Sequence, residues 1–431
     1  MLDMAGLSKN FIMPAHVALA VDMLGRAGYE ACVVGGCVRD RLLGLAPKDW
    51  DIATAATPGE TEAVFRKYKL LTHGRKYGTV AVLFGGEPVE ITTYRTDGDY
   101  LDSRRPESVR FTASLREDLG RRDFTINALA YRQGLGLVDY FGGAGDLAGG
   151  VVRCVGDARA RFGEDALRIM RALRFAARFS FKIEEGTSSA VHSLRRSLEN
   201  IALERVGAEL AGILAGPGEG VRYVLSEYYD VMTVIIPELS DCSDSWENWL
   251  KAAAAAPPDL AVRLALMLCG LTAPAANGAL RRLRFNNGTA DEAAGLIDLF
   301  YAGVEEARQG EAAVKRLLCR AGEARLRKLL LARRAYAAAA GGNSADGTGG
   351  KNGINDIKAL DEIGRLIDGV TGRGDCYSLK GLAVKGGDLI GLGFAPGKEM
   401  GRALQALLDL VIEGESPNER GALLAKAEAM K

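Results

Sequence analysis

The spacing of apolar residues divides the chain into a mixed first part and a long helical remainder. Residues 14–27 place apolar side chains at helical intervals, and YEACVVGG (29–36) is typical of a short buried strand that ends in a glycine turn. WDIAT (50–54) predicts a second short strand. TVAVLFGGEPVEITTYR (79–95) has two β-rich runs on either side of Gly-Gly-Glu-Pro, and this arrangement predicts a β-hairpin.

Beyond the hairpin the pattern changes from mixed to helical. TINALAYR (125–132) predicts a helix and LGLVDYF (135–141) a strand, but from about Asp157 helical periodicity dominates. Residues 337–353 are rich in Gly, Ser and Asn, which predicts a flexible loop or linker before a last helical section. The pattern therefore predicts the α+β class, with a mixed head followed by helices.

Composition narrows the class of protein. The chain has 55 basic and 55 acidic residues among 431, so it is a balanced globular protein in which a local basic groove is still possible. Its seven cysteines form no CxxC pair and it has only three histidines, so we expect reduced cytoplasmic thiols and no zinc site. We expect no signal peptide and no membrane span, because no run of ~20 apolar residues occurs.

A pair of aspartates is the first candidate for chemistry. Asp49 and Asp51 stand on either side of Trp50, and side chains at i and i+2 of a strand project to the same face. Adjacent carboxylates repel each other, and hard cations such as Mg²⁺ or Mn²⁺ relieve that repulsion. Glu90, in the second strand of the hairpin, is available as a third acid, since that strand could lie beside the aspartate strand. Two ions could hold a triphosphate for in-line displacement, although a plain pair of turn acids stays possible on these residues alone.

A glycine turn precedes the aspartate pair. Gly35 and Gly36 follow the first buried strand, and a run compatible with a helix comes next. Backbone amides at such a turn can approach phosphate oxygens closely, and Arg39 could add a charged fork. A strand, a Gly-Gly turn, an arginine and then DxD is a more specific signal than any of these features alone.

The run GGCVRDRLLG…DWDIAT (35–54) resembles the signature of the class II tRNA nucleotidyltransferases and their bacterial poly(A) polymerase relatives, within the polymerase-β-like superfamily. Four further stretches resemble the family's later motifs in the same order: GRRDFTINALAY (120–131), VDYFGGAGDL (138–147), FGEDALRIMRALRFAARF (162–179) and IALERVGAEL (201–210). The resemblance implies a polymerase-β-like head of mixed sheet and helices, followed by an elongated all-helical neck, body and tail. The corresponding boundaries are 1–150, 151–215 and 216–340, a linker at 341–353, and a tail at 354–431.

The resemblance also implies roles for particular side chains. Asp49 and Asp51 would bind two Mg²⁺ ions, or Mn²⁺, and act as catalytic acids with Glu90 as the third. CTP and ATP would be the substrates. The residues implied in holding the triphosphate, the ribose and the rest of the nucleotide are Gly36, Arg39, Arg122, Asp123 and Asn127.

The stretch EDALR has a physical interpretation of its own. On one helix, Glu164 would meet Arg168 at i+4 and Asp165 would meet it at i+3, so one face would present an acceptor beside a forked donor. Such a pair suits the Watson–Crick edges of cytosine and adenine, whereas guanine and uracil present the wrong order of donors and acceptors. A surface salt-bridge ladder is the alternative. The resemblance implies that these three residues act as an amino-acid template for CTP and ATP.

The helix after EDALR suggests an RNA partner. Arg171, Arg174 and Arg178 recur at steps of three and four residues beside an apolar stripe, which is partly ordinary amphipathicity. An arginine stripe beside a nucleotide pocket also suits RNA phosphates. The resemblance implies that the partner is tRNA, contacted at its acceptor end and, through the tail, at its elbow.

The segment after the hairpin bears on which member of the family this is. RTDGDYLDSRRPESVRFTASLREDL (95–119) corresponds to a flexible element that CC-only enzymes have shortened, and here it is full-length. The prediction is therefore an enzyme that builds or repairs the CCA end of tRNA. An A-adding enzyme, a poly(A) polymerase and a non-catalytic RNA-binding relative are the alternatives.

Overall fold

The computed structural model describes residues 11–97, 109–241, 246–340 and 349–430. Its contacts divide the chain into two compact units, residues 1–237 and 238–431. Residues 98–108 of the charged segment 95–119 and residues 341–348 of the predicted linker lie outside the described residues, so the predicted flexibility of both stays a prediction. The helix Gly349–Gly372 begins inside the stretch predicted as linker.

The first unit contains all the strands of the described residues. In chain order they are β1 Ala31–Val34, β2 Asp51–Thr54, β3 Lys69–Leu71, β4 Thr79–Phe84, β5 Glu87–Thr93, β6 Arg95–Asp97, β7 Val109–Phe111, β8 Leu129–Arg132, β9 Gly136–Asp139, β10 Val151–Val152 and β11 Lys182–Ile183. Seven of them form one sheet in the order β3-β4-β5-β2-β1-β8-β9. The pairs β6–β7 and β10–β11 form two small separate sheets. The class predicted from the sequence pattern is confirmed.

The sheet is mixed, and its centre is buried on both faces. All four residues of β1 are buried, as expected for a strand with neighbours on each side and packing above and below. β1 runs antiparallel to β2 and to β8, whereas β2 runs parallel to β5. Cys32, Tyr94 and Leu119 belong to the apolar core on one face of the sheet. This pairing fixes the edge at which β2 begins, and that edge carries the candidate site.

Eleven α-helices accompany the strands in the described residues of the first unit. They are α1 Ala15–Arg26, α2 Gly36–Leu42, α3 Pro58–Val64, α4 Leu115–Gly120, α5 Gly143–Gly149, α6 Ala158–Glu164, α7 Leu167–Phe179, α8 Glu185–Leu194, α9 Leu203–Leu214, α10 Gly218–Glu227 and α11 Tyr229–Ile235. Helix α7 is the central one, because nine of its thirteen residues are buried and both α9 and α10 pack on it. The polar side chains that remain on α7 are its arginines.

The second unit is helical throughout its described residues. Its helices are α12 Trp246–Ala255, α13 Leu260–Met267, α14 Ala273–Arg282, α15 Asn287–Leu299, α16 Ala302–Ala307, α17 Glu311–Ala321, α18 Glu323–Ala340, α19 Gly349–Gly372, α20 Gly386–Gly391, α21 Lys398–Ile412 and α22 Arg420–Glu428. Trp249 stacks on Tyr336 at 4.1 Å between ring centroids. A second core near the C-terminus includes Leu382, Leu389 and Leu407. No helix in the described parts of the chain is long and apolar enough to cross a membrane.

The strand and hairpin predictions are confirmed at β1, β2, β4–β5 and β9. The predicted helix at 125–132 is wrong, because Thr125–Asn127 is one turn of 3₁₀-helix and Leu129–Arg132 is a strand. β8 pairs with both β1 and β9, so sheet formation determines the backbone of this short apolar run. Its sequence fits a buried strand as well as a helix.

Candidate active site

A cavity of about 550 Å³ opens on the first unit where β2 begins. Three aspartates reach it, together with eight arginines: Arg39, Arg121, Arg122, Arg168, Arg171, Arg174, Arg178 and Arg205. Gly36 and Asn127 also line it. Eight cationic side chains against three carboxylates give the cavity the charge that a polyanionic ligand requires.

The glycine turn forms one wall of this cavity. Gly35 has a φ of +77°, a conformation that favours glycine, and it directly precedes α2. A Cβ at Gly35 would lie 2.6 Å from Nη1 of Arg122, so the absence of a side chain also lets Arg122 lie against the turn. The backbone N–H of Gly35 donates to the carbonyl of Leu129 at 2.9 Å, which ties the turn to β8.

The aspartate pair lies beside this turn. Asp51 is the first residue of β2, and the parallel register places it opposite Glu90 of β5. Asp49 precedes the strand and is exposed. Trp50 contacts Phe11, with 6.1 Å between ring centroids, and Phe11 in turn stacks on Tyr131. The register therefore brings Glu90 beside Asp51, as the hairpin prediction suggested.

Desolvation and neighbouring charges both act on the carboxylate of Asp51. Loss of bulk solvation in the cavity raises the pKa of Asp51, and the carboxylates of Glu90 and Asp49 raise it further. The guanidinium of Arg122 opposes these effects without reversing them. Within the described residues no group of three or more His, Cys, Asp or Glu side chains is arranged to hold a metal ion. Uncompensated carboxylates nevertheless suit a hard cation, so Asp49 and Asp51 are a chemically reasonable ligand set.

Asp123 anchors a network at the middle of the cavity. Its Oδ1 accepts two hydrogen bonds of 2.9 Å, one from Nδ2 of Asn127 and one from the backbone N–H of Phe124. Its Oδ2 accepts from Nε and Nη2 of Arg171 at 2.8 and 2.6 Å. Burial alone raises the pKa of Asp123, but Arg171 and these hydrogen bonds outweigh burial and the net pKa is lowered. Asp123 is therefore a fixed anion.

Arg39 is only 4 % exposed and is surrounded by protein acceptors. Its Nε and Nη2 donate to Oδ1 of Asp40 at 2.8 and 2.7 Å, and its Nη1 donates to Asn127. The guanidinium also lies over the rings of Phe175 and Phe179, 5.1 and 5.0 Å from their centroids. Burial lowers the pKa of Arg39, and Asp40 opposes that effect. In this geometry Arg39 orients Asn127, while its assignment to the triphosphate stays a prediction.

The stretch EDALR does not form one helix, so the predicted uninterrupted helical face is wrong. α6 ends at Glu164, Asp165 has extended backbone angles of φ −144° and ψ 104°, and α7 begins at Leu167. Oδ1 of Asp165 accepts the backbone N–H of Leu167 at 2.9 Å, and this local bond favours the break. The predicted pair of Glu164 with Arg168 does form, with 2.5 Å between Oε2 and Nη1.

The arginines predicted to bind RNA line the same cavity as the residues predicted to bind the nucleotide. Each has an acidic partner: Arg171 pairs with Asp123, Arg174 with Glu209, and Arg178 with Asp40. These pairs hold α7 against its surroundings. The assignment of the three arginines to RNA stays a prediction.

Three residues of the site were not singled out from the sequence. Arg205 of α9 donates from Nη2 to Oδ2 of Asp165 at 3.2 Å. It lies in the motif IALERVGAEL, but nothing in the motif indicated this contact. Asp118 is 1 % exposed and accepts from Arg121 at 2.9 Å and from Arg122 at 3.4 Å. Arg121 offers its carbonyl to Nη2 of Arg168 at 3.5 Å. Arg121 and Arg205 lie inside the motifs, and this position was the only sequence signal for them. The partners of their side chains could not be predicted from spacing along the chain.

Comparison with known proteins places this site in a class. A family model described as "Poly A polymerase head domain" matches residues 31–153, which include β1, β2, β5 and all three candidate acids. A second model, for tRNA nucleotidyltransferase domain 2, matches residues 367–427. The fold and the site therefore define a nucleotidyltransferase.

Whole-length relatives narrow the class further. The CCA-adding enzyme of Limosilactobacillus fermentum is 35% identical over 420 residues, covering 96% of this chain and 97% of the relative. That of Streptococcus thermophilus is 33% identical over 434 residues, covering 98% and 99%. The chain belongs to the family of CCA-adding enzymes, which confirms the resemblance seen in its motifs.

Solved structures agree in fold over nearly the whole chain. The Bacillus stearothermophilus CCA-adding enzyme in complex with CTP superposes with a TM-score of 0.73 at 29% identity, covering 97% of this chain and 98% of that one. The Thermotoga maritima CCA-adding enzyme complexed with tRNA_CCA has a TM-score of 0.69 at 23% identity, covering 99% and 98%. The second likeness concerns the fold alone.

Proposed function

We propose that this protein builds or repairs the 3′-terminal CCA of tRNA, transferring CMP and AMP from CTP and ATP and releasing pyrophosphate. The observation that carries the proposal is a single cavity that is lined both by Asp51 and by Asp165 and Arg168. A nucleoside triphosphate needs both groups, one for the reacting phosphate and one for the base. Relatives named CCA-adding enzymes that span nearly the whole chain support the same activity.

The triphosphate lies beside the glycine turn. Arg122 lies against Gly35 on one side and is held by Asp118 on the other. This arrangement presents a preoriented guanidinium to phosphate oxygens without the entropy loss of ordering a free side chain. The fixed network of Asp123 and Asn127 lies next to it and suits the hydroxyls of the ribose.

The base lies against Asp165 and Arg168. Glu164 and the carbonyl of Arg161 hold the Arg168 guanidinium, so its remaining donors have a defined direction. A carboxylate that accepts the exocyclic amino group of cytosine or adenine leaves uracil and guanine with an acceptor facing an acceptor. An unpaired polar contact of this kind in a confined site gives strong discrimination.

Asp49 and Asp51 would hold two Mg²⁺ ions, or Mn²⁺ in their place, with Glu90 as the adjoining acid. When bound, the ions would supply positive charge to the reacting phosphate and to the attacking hydroxyl. The chain's own part is to keep Asp51 at the start of β2, where the register with Glu90 concentrates negative charge. In the transfer the RNA 3′-oxygen forms a bond to the α-phosphorus, the bond from that phosphorus to the bridging oxygen breaks, and pyrophosphate leaves.

The remaining assignments extend this proposal. Arg171, Arg174 and Arg178 serve the phosphates at the RNA 3′ end, and the C-terminal tail contacts the tRNA elbow. The five-part division at residues 150, 215, 340 and 353 and a cytoplasmic location belong to the same proposal. Asp40 and Glu209 supply counter-charges that keep two of these arginines in place in the free protein.

The test uses tRNA transcripts that end before CCA, after C, and after CC. Each receives Mg²⁺ with CTP, ATP or both, and products are separated at single-nucleotide length. Ordered growth by C, C and A followed by a halt is the expected result. Addition only to the transcript ending in CC means an A-adding enzyme, and long adenosine ladders on any RNA mean a poly(A) polymerase. No extension at all with retained tRNA affinity means a non-catalytic binder.

A further inference from the structure

Asp165 is held at two points, and only one of them is local. Its Oδ1 accepts the backbone N–H of Leu167 at 2.9 Å, while its Oδ2 accepts Nη2 of Arg205 at 3.2 Å. An aspartate held at one oxygen can still rotate its carboxylate plane, but one held at both oxygens cannot. Its orientation in the cavity is therefore set jointly by the start of α7 and by a side chain forty residues further along the chain.

The helix that carries Arg205 contacts residues of the cavity through two side chains. Arg205 and Glu209 are four residues apart on α9, so they lie on one face of that helix. Arg205 meets Asp165, and Glu209 meets Arg174 of α7. One turn further on, a Cβ at Gly212 would lie 2.4 Å from Cδ of Arg174, so the two helices approach closely here because residue 212 lacks a side chain.

The guanidinium of Arg205 is only partly used by its pair with Asp165. Its Nη1 is buried and has no hydrogen-bond partner among the described residues. A buried donor without an acceptor costs free energy, so Arg205 is held in this position at some expense. Its Nη2 fixes Oδ2 of Asp165 at the wall of the cavity.

We propose that Arg205 is a specificity-determining positioning residue, which orients the Asp165 carboxylate toward the amino group of cytosine or adenine. This inference rests on the proposed function, since it assigns Asp165 to the base. Cytosine carries an amino donor at position 4 and adenine one at position 6, whereas uracil and guanine carry oxygen acceptors there. A carboxylate fixed in direction accepts the donor and repels the acceptor, and a carboxylate free to turn away loses much of that distinction.

The experiment compares Arg205→Gln, Arg205→Lys and a matched control, Arg222→Gln, which changes an exposed arginine of α10 outside the cavity. CTP and UTP affinities are measured by isothermal titration calorimetry, and kcat/KM for each is measured on a transcript that ends before CCA. We expect Arg205→Gln to narrow the preference for CTP over UTP about tenfold, Arg205→Lys to narrow it less, and the control to leave it unchanged. The melting temperature of Arg205→Gln should stay close to that of the wild type.

A double-mutant cycle separates positioning from a general loss of structure. If Arg205 acts through Asp165, adding Arg205→Gln to Asp165→Asn produces little further loss of selectivity. Additive losses, or an unchanged CTP preference together with a lower melting temperature, would overturn the inference and leave Arg205 as a structural residue. Failure of the wild-type protein to extend any transcript would overturn the proposed function instead, so the two failures are distinguishable.

Discussion

Two groups of residues that line the cavity are built in different ways: the catalytic end, around Asp51 and the glycine turn, and the base end, around Asp165 and Arg168. At the catalytic end, the backbone register of β2 with β5 places Asp51 opposite Glu90. At the base end, Asp165 and Arg168 lie at a break between helices, and their directions come from ion pairs with Arg205 and Glu164. Backbone pairing positions one end and side-chain pairing the other.

The two ends also differ in how their carboxylates are balanced by positive charge. Desolvation raises the pKa of Asp51, and Glu90 and Asp49 raise it further against the opposing guanidinium of Arg122, so a bound cation would stabilise the ionised carboxylate at the catalytic end. By contrast, the aspartates that lie beside α7 have arginine partners, as in the pairs Asp123–Arg171 and Asp165–Arg205. Substitutions at the catalytic end should therefore affect chemistry, whereas substitutions at the base end should affect the selection of the nucleotide.

The largest expected effect is on the rate of transfer. Asp51→Asn should lower kcat on the order of 10³-fold for CTP and ATP alike, because it removes a carboxylate that acts in the transition state. Its melting temperature should equal or exceed that of the wild type, since the desolvation cost of the ionised carboxylate and its repulsion from Glu90 and Asp49 together outweigh its attraction to Arg122. Single-turnover kinetics and calorimetry measure both quantities, with the surface change Asp22→Asn as control. A matching loss of stability would mean that Asp51 is structural.

Next in size is the loss of the buried anion at Asp123. Asp123→Asn leaves Arg171 without its partner and should reduce the free energy of unfolding by about 3 kcal/mol. Because the folded-state pKa of Asp123 is lowered, its contribution is complete above the unfolded value of about 3.9 and is lost as the pH falls through the folded value. Urea unfolding at several pH values should therefore show a shallower acid loss of stability in the variant. An unchanged acid slope would contradict this assignment.

A smaller effect is expected from a substitution of Asp118, which contacts arginines of both ends. Asp118 holds Arg122 near the glycine turn and also Arg121, whose carbonyl contacts Arg168. Asp118→Asn should cost about 2 kcal/mol of stability and weaken binding of CTP and ATP by similar factors. Nucleotide titrations compared with Glu117→Gln, an exposed acid on the same short helix, test this. A change confined to one nucleotide would show that Asp118 serves the base end alone.

The smallest expected effect concerns the pair of α9 with α7. Arg174 and Glu209 are both partly buried, and their coupling free energy should be about 1 kcal/mol. The cycle of Arg174→Gln and Glu209→Gln, followed by denaturant unfolding, measures it. Coupling near zero would mean that the closeness of the helices at Gly212, rather than the ion pair, holds α9 in place.

The sequence predicted what depends on local pattern. The hairpin, β1 and the neighbourhood of Asp51 and Glu90 followed from alternation, glycine turns and strand geometry. The predicted helix at 125–132 failed because a short apolar run is compatible with both structures, and the pairing of β8 with β1 and β9 decides between them. The polymerase-β-like head followed from motif resemblance rather than from periodicity.

The sequence pattern could not predict contacts between side chains that are far apart along the chain. The partner of Arg178 is Asp40, 138 residues away, and the partner of Asp165 is Arg205, 40 residues away. No spacing rule links such positions, since they meet only after the helices have packed. The break at Asp165 was missed for a related reason, because helical spacing of side chains cannot show that a carboxylate has captured a backbone N–H.

The most direct test of the division between the two ends is a comparison of kcat/KM for CTP and UTP in Asp51→Asn and Asp165→Asn, measured on a transcript that ends before CCA. We expect Asp51→Asn to lower both values by the same factor and leave their ratio unchanged. Asp165→Asn should retain much of the rate but bring the ratio closer to one. A changed ratio in Asp51→Asn, or equal losses for both nucleotides in Asp165→Asn, would contradict the assignment of chemistry to one end of the cavity and selection to the other.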